Sequence, residues 1–182
     1  MPRDPLSAPA MVRVGFFGKI PSRGDFVQAG LSRQFTRAWD DWVQAVLPDC
    51  RSLLGQEWDA AWRTAASWRF ALPGGQCGAR PVLGLFLPSL DGAGRVFPLT
   101  IAAEGAGDDA TFLDAAEVIG CEAAAGGLAP DALLARLAGL IPPAPATMPT
   151  QTARWWRGRH PGGAIALAGL PGAERLAGML RQ

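Results

Sequence analysis

Between Phe35 and Leu47, seven apolar side chains fall on one face at helical spacing: Phe35, Ala38, Trp39, Trp42, Val43, Val46 and Leu47. A stripe this wide and aromatic is too costly to leave in water, so the chain must supply a broad apolar surface to receive it. Ser32 is placed to cap this helix, and Pro48 reads as its stop. A second stripe, Leu54, Trp58, Ala61, Trp62 and Ala65, repeats the demand. At 182 residues the chain can bury roughly 70 % of its unfolded surface, so no disulfide or metal is required to hold a core.

The receiving surface is legible as strands. Val12 to Phe17 alternates and then becomes fully apolar, and a loop is expected from Gly18 to Gly30. Trp68, Phe70 and Leu72 alternate as in a half-buried strand. Val82–Leu87 and Val96–Ala102 read as a hairpin around the loop Pro88–Gly94, with an edge or a bulge at Pro98. Further helices are expected after Asp109, with Phe112, Ala115, Ala116 and Ile119 inward, and after Pro130, with Leu133, Leu134, Leu137, Leu140 and Ile141 inward. Residues 142–150 read as a connector. Thr152–Arg157 and Ala164–Leu167 are candidate strands, and Pro171 opens a last helix with Leu176, Met179 and Leu180 inward. Strands and helices interleave without strict βαβ units. The expected fold is therefore a mixed α+β (α/β) single domain over residues 11–182. Its centre is a mixed, largely antiparallel sheet with helices on both faces. Residues 1–10 read as a flexible tail, and Met11 is a candidate start.

Charge narrows the function classes. The net charge is +1, so no global field draws the chain to nucleic acid or membrane. Seven acids and no base occupy residues 104–131, whereas residues 132–182 carry six arginines against Glu174. These segments are either two solvated faces or mutually attractive ones. Cys50, Cys77 and Cys121 are scattered, which suits a reducing compartment. No apolar run approaches the roughly 18 residues of a membrane span. A cytoplasmic protein is the expectation.

Catalytic groups are scarce. His160 is the one imidazole and lies in a Gly- and Pro-rich loop. A Cys77–His160 nucleophile pair has no support from spacing, and neither GxSxG nor HExxH occurs. No metal set or cofactor motif is present in the sequence. The stretch Gly18-Lys19-Ile20-Pro21-Ser22-Arg23-Gly24-Asp25-Phe26 follows a buried strand as a phosphate loop does. It fails the Walker pattern, because Arg13 stands where the first glycine belongs and Ile20 where a hydroxyl should meet magnesium. A turn braced by a Lys19/Arg23–Asp25 charge network is the simpler reading. Pro88-Ser89-Leu90-Asp91 with Arg95 forms a second polar cluster. Trp155 and Trp156, flanked by Arg154, Arg157 and Arg159, fit either a stacking element or a strand with one buried and one rim tryptophan.

These segments resemble a known family. Gly18-Lys19-Ile20-Pro21-Ser22-Arg23-Gly24-Asp25-Phe26-Val27 is similar to the GKxPSxGDFV signature of the TagF (ImpM) proteins, which are associated with type VI secretion. Trp68-Arg69-Phe70-Ala71-Leu72, Gly75, Cys77-Gly78, Pro88-Ser89-Leu90-Asp91, Gly94-Arg95 and Phe97-Pro98-Leu99-Thr100 resemble the family's second block. Trp155-Trp156 and Gly169-Leu170-Pro171 resemble its C-terminal segments. The resemblance implies a cytoplasmic, non-enzymatic, post-translational repressor of type VI secretion that binds and sequesters a forkhead-associated scaffold protein. It implies no cofactor and leaves a homodimer open. By motif position, the partner-binding candidates are Lys19, Ser22, Arg23, Asp25, Ser89, Asp91 and Arg95, with the charged ones expected to be exposed. Pro21, Gly24, Phe26, Trp68, Arg69, Phe70, Phe97, Pro98, Trp155 and Trp156 are candidates for holding the fold. The alternative is a small-molecule or nucleotide-binding domain with a cleft between the Lys19–Asp25 and Ser89–Arg95 loops.

Overall fold

A computed structural model describes residues 11–147 and 151–182; the expected tail at 1–10 lies outside the described residues, as does part of the connector. The chain forms β1 (Arg13–Gly18), β2 (Val27–Ala29), α1 (Arg33–Leu54), α2 (Trp58–Thr64), β3 (Trp68–Leu72), β4 (Val82–Leu87) and β5 (Leu99–Glu104). It continues with α3 (Ala110–Ala124), α4 (Pro130–Ala138), β6 (Ala153–Trp156), β7 (Ile165–Leu167) and α5 (Ala173–Leu180). Seven strands make one sheet in the order β2-β1-β5-β4-β3-β6-β7. Helices cover both faces, as expected, but every described strand pair is antiparallel, so no strand runs in the mixed sense.

The sheet divides two cores. On one face α1, α2 and α5 pack against Phe17, Trp68, Phe70, Phe86 and Trp155. On the other, α3 and α4 pack against Phe16, Leu83, Leu85, Ile101 and Trp156. This explains why β3, β4 and β5 are buried at every position instead of alternating with solvent. The half-buried strand expected at Trp68–Leu72 is thus fully buried, and Trp156 is buried rather than on the rim. Trp39 is the hub of the first core. It is fully buried, stacks on Phe70 at 4.8 Å, and lies nearly parallel to Trp155 at 6.2 Å.

Ser32 caps α1 as expected: its hydroxyl accepts from the Phe35 amide at 3.2 Å. The buried Glu104 carboxylate binds the Ser32 amide and hydroxyl at 2.5 and 2.7 Å, tying the helix start to the end of β5. Pro48 does not stop the helix, which runs on to Leu54. A proline inside a helix costs about 3 kcal/mol, but it sits on the exposed face, where water can solvate the orphaned carbonyl. Continuing past it buries Cys50 and Leu54 and hands the chain to Trp58. At about 1.5–3 kcal/mol for a buried leucine, that gain is of the same order as the cost.

Three other expectations change. The loop at Gly18–Gly30 contains β2, a three-residue edge strand paired with β1. Pro98 lies just outside β5, which is central rather than an edge, so no ladder bond is forfeited. Helix α4 ends at Ala138 and buries Leu133 and Leu137; Leu134 and Ile141 are exposed.

Candidate functional site

Strand β1 ends at Gly18 with φ of 139°, where an added Cβ would lie 2.0 Å from the Pro98 carbonyl oxygen. This tight exit carries Lys19 inward instead of outward. Lys19 is 8 % exposed, and its Nζ donates to Asp91 Oδ2 at 3.0 Å. The expected Lys19/Arg23–Asp25 network is therefore replaced by a pair spanning 72 residues, and Arg23 and Asp25 lie on the surface.

Asp91 closes the second loop. Its Oδ1 accepts from the amides of Ala93 and Arg95, both at 2.9 Å, and its Oδ2 accepts from Lys19 and from Arg95 Nε at 2.7 Å. Burial alone would raise its pKa. The donors from Arg95, Lys19 and Ala93 outweigh burial and hold the carboxyl well below the ordinary range. Further bonds knit the loops together: the Gly92 amide donates to the Arg23 carbonyl, and the Arg95 guanidinium to the Gly24 carbonyl. Ser22 Oγ donates to the Leu128 carbonyl at 2.9 Å, and Trp62 Nε1 to the Ser89 carbonyl at 2.9 Å.

The two loops thus meet through the Lys19–Asp91 contact. Lys19, Ser89 and Asp91 are buried, against the expectation that the charged ones among them are exposed; Ser22, Arg23, Asp25 and Arg95 are exposed. Phe26 packs against two rings and also faces solvent. It stacks on Phe17, meets Phe97 edge-on at 4.7 Å, and remains 46 % exposed. Lys19 Nζ sits 5.1 Å from its ring centroid. Pro21, Gly24 and Pro98 lie in the joined loops, and Trp68, Phe70, Phe97 and Trp155 are buried in the first core.

Sequence reasoning missed a second charged cluster. Arg69 on β3 is 2 % exposed and its Nη2 donates to Asp114 at 2.8 Å and Glu117 at 2.5 Å. Arg159 closes on Asp114 at 2.7 Å, and Ser67 binds Glu117. The signal was an arginine within an apolar strand, which demands inward carboxylates. Contacts from Arg69 and Arg159 lower the Asp114 pKa.

The thiols are poor nucleophiles. Burial pushes Cys77 up to about 12 and Cys50 to about 11, and Cys77 is buried whereas His160 is exposed. Among the described residues no three His, Cys, Asp or Glu side chains gather as a metal set, and no helix is long and apolar enough to cross a membrane.

The family model of the TagF N-terminal domain, type VI secretion system-associated, matches residues 15–138, which include both loops and the Arg69 strand. The chain belongs to this family. The TagF fold is shared with the crystal structure of PA0076 from Pseudomonas aeruginosa PAO1, which is 28 % identical with a TM-score of 0.79, over 92 % of this chain and 93 % of that one. No curated protein matches. The TagF model stops at residue 138, so β6, β7 and α5 lie beyond it although they complete the same sheet and core.

Proposed function

We propose that this TagF-family protein is a non-enzymatic, cytoplasmic regulator that represses type VI secretion post-translationally, by binding and sequestering a forkhead-associated scaffold protein. The observation that supports this most is the locking of both family-motif loops into one rigid unit by the four-donor Asp91 carboxylate. A sequestering protein needs a preorganised surface with a few anchors, because ordering that surface on binding would cost affinity. The locked loops present such anchors: Arg23, Asp25, Arg95 and the half-exposed ring of Phe26.

The test is co-elution of the full chain with the purified scaffold of its own secretion cluster, followed by titration. A complex of micromolar affinity or tighter is expected. Arg23→Glu should weaken it without changing the circular dichroism spectrum. Absence of a complex at tens of micromolar defeats the reading. Reversal at Lys19 or Asp91 is not a contact test, because both are buried.

A further inference from the structure

Beside the locked loops runs a groove of about 490 Å³ between α1, α2 and the second loop, with Pro48, Arg51, Trp58, Asp59 and Arg95 among its walls. We propose that this groove is the docking site for an acidic segment of the scaffold, carrying one apolar side chain as its anchor. The inference rests on the scaffold reading and specifies which surface performs it.

Three observations support it. The first is the lining. Leu47, Pro48, Val96 and the edge of Trp58 provide an apolar trough within the size range of ligand clefts. Trp58 itself is buried in the first core, so it forms the floor of the trough, and the exposed arginines supply the groups that a partner meets.

The second is charge. Buried Asp91 carries one negative charge against two cations, Lys19 and Arg95, so the three groups leave one positive charge over, and of the two cations the exposed Arg95 is the one that lines the groove. Arg51 adds another cation, and it makes no ion pair among the described residues. Asp59 offsets one. The excess is positive and fits carboxylates that flank an apolar anchor.

The third is a broken local rule. Pro48 stands in the interior of α1, where alanine would hold the helix better, and its exposed ring forms a wall of this groove. Arg95 belongs to a family motif, whereas Arg51, Trp58 and Asp59 come from the helices. The groove therefore couples the motif loops to a surface that no single segment encodes.

The test titrates the purified scaffold into the full chain and three variants, each first confirmed folded by circular dichroism. Arg51 is exposed and makes no ion pair among the described residues, so Arg51→Glu should fold and bind about three- to tenfold more weakly. Arg51→Lys should bind as the parent does. Asp59→Asn, which removes the carboxylate that lines the groove among the described residues, should bind about two- to fivefold more tightly, with the gain shrinking as salt is raised. If the parent binds and both Arg51→Glu and Asp59→Asn leave affinity unchanged, the groove is not the docking site, while the scaffold reading stands. If Arg51→Glu instead shifts the chain's own sedimentation, a second copy occupies the groove and the proposal falls. If the parent binds no scaffold, the reading and the inference fall together.

Discussion

Asp91 concentrates more of the local structure than any of its neighbours, because four donors converge on one buried carboxylate. Its pKa is depressed in the folded state, so the stability it contributes is present above the ordinary carboxylate range. That stability is lost as pH falls through and below that range. Acid unfolding monitored by tryptophan emission should therefore steepen at low pH, and Asp91→Asn should flatten that limb. At neutral pH the same change should cost about 2–4 kcal/mol in urea titrations, because it leaves Lys19 buried with a weakened partner. Little of this was legible in the sequence. The polar residue types marked both loops, but charge proximity along the chain favoured Asp25 as the partner of Lys19. The actual partner lies 72 residues away and is selected by where β1 and the β4–β5 connection end in space.

At the scale of elements, hydrophobic period was the reliable signal and punctuation the unreliable one. The bounds of β4 and the cap of α1 follow directly from pattern, whereas Pro48 and Pro98 mislead, because solvent exposure excuses one and placement just outside a strand excuses the other. Pro48→Ala should raise the stability of α1 by about 1–3 kcal/mol, read as a higher melting temperature, since it restores a helical hydrogen bond. Gly84 is the opposite case. A Cβ there would sit 2.5 Å from the Phe70 ring and 2.6 Å from the Ile101 carbonyl oxygen. Gly84→Ala should cost at least 1–3 kcal/mol by overpacking, seen as a lower urea midpoint. The continuous apolar run of β4 fits a strand covered on both faces, whereas the alternation at Trp68–Leu72 hid that β3 is covered on both faces too, because Arg69 reads as a solvent position until its buried carboxylate partners are seen.

Across the whole molecule, the acidic and basic segments find each other. Asp108, Asp114 and Glu122 pair with Arg154, Arg159 and Arg136, so the C-terminal region is pinned to α3 and the loop before it. The same region completes the sheet: β6 pairs with β3, and α5 covers α1. A fragment ending at residue 138, the limit of the family match, would expose β3 as an edge and leave Trp39 without Trp155. Such a fragment is expected to be unfolded or aggregated; a monomeric, cooperatively melting fragment would show that the match limit is a true domain boundary. The near-parallel pairing of Trp39 with Trp155 has an optical consequence as well. The chain has seven tryptophans and no tyrosine, so ultraviolet absorption and emission come almost wholly from indoles. Indoles from two distant segments held this close should couple in circular dichroism, and that contribution should be lost when the C-terminal hairpin detaches, while the Trp39–Trp42 and Trp58–Trp62 couplings persist with the rest of the fold. The protein thus carries a built-in, label-free reporter of whether its last thirty residues, from β6 onward, are seated.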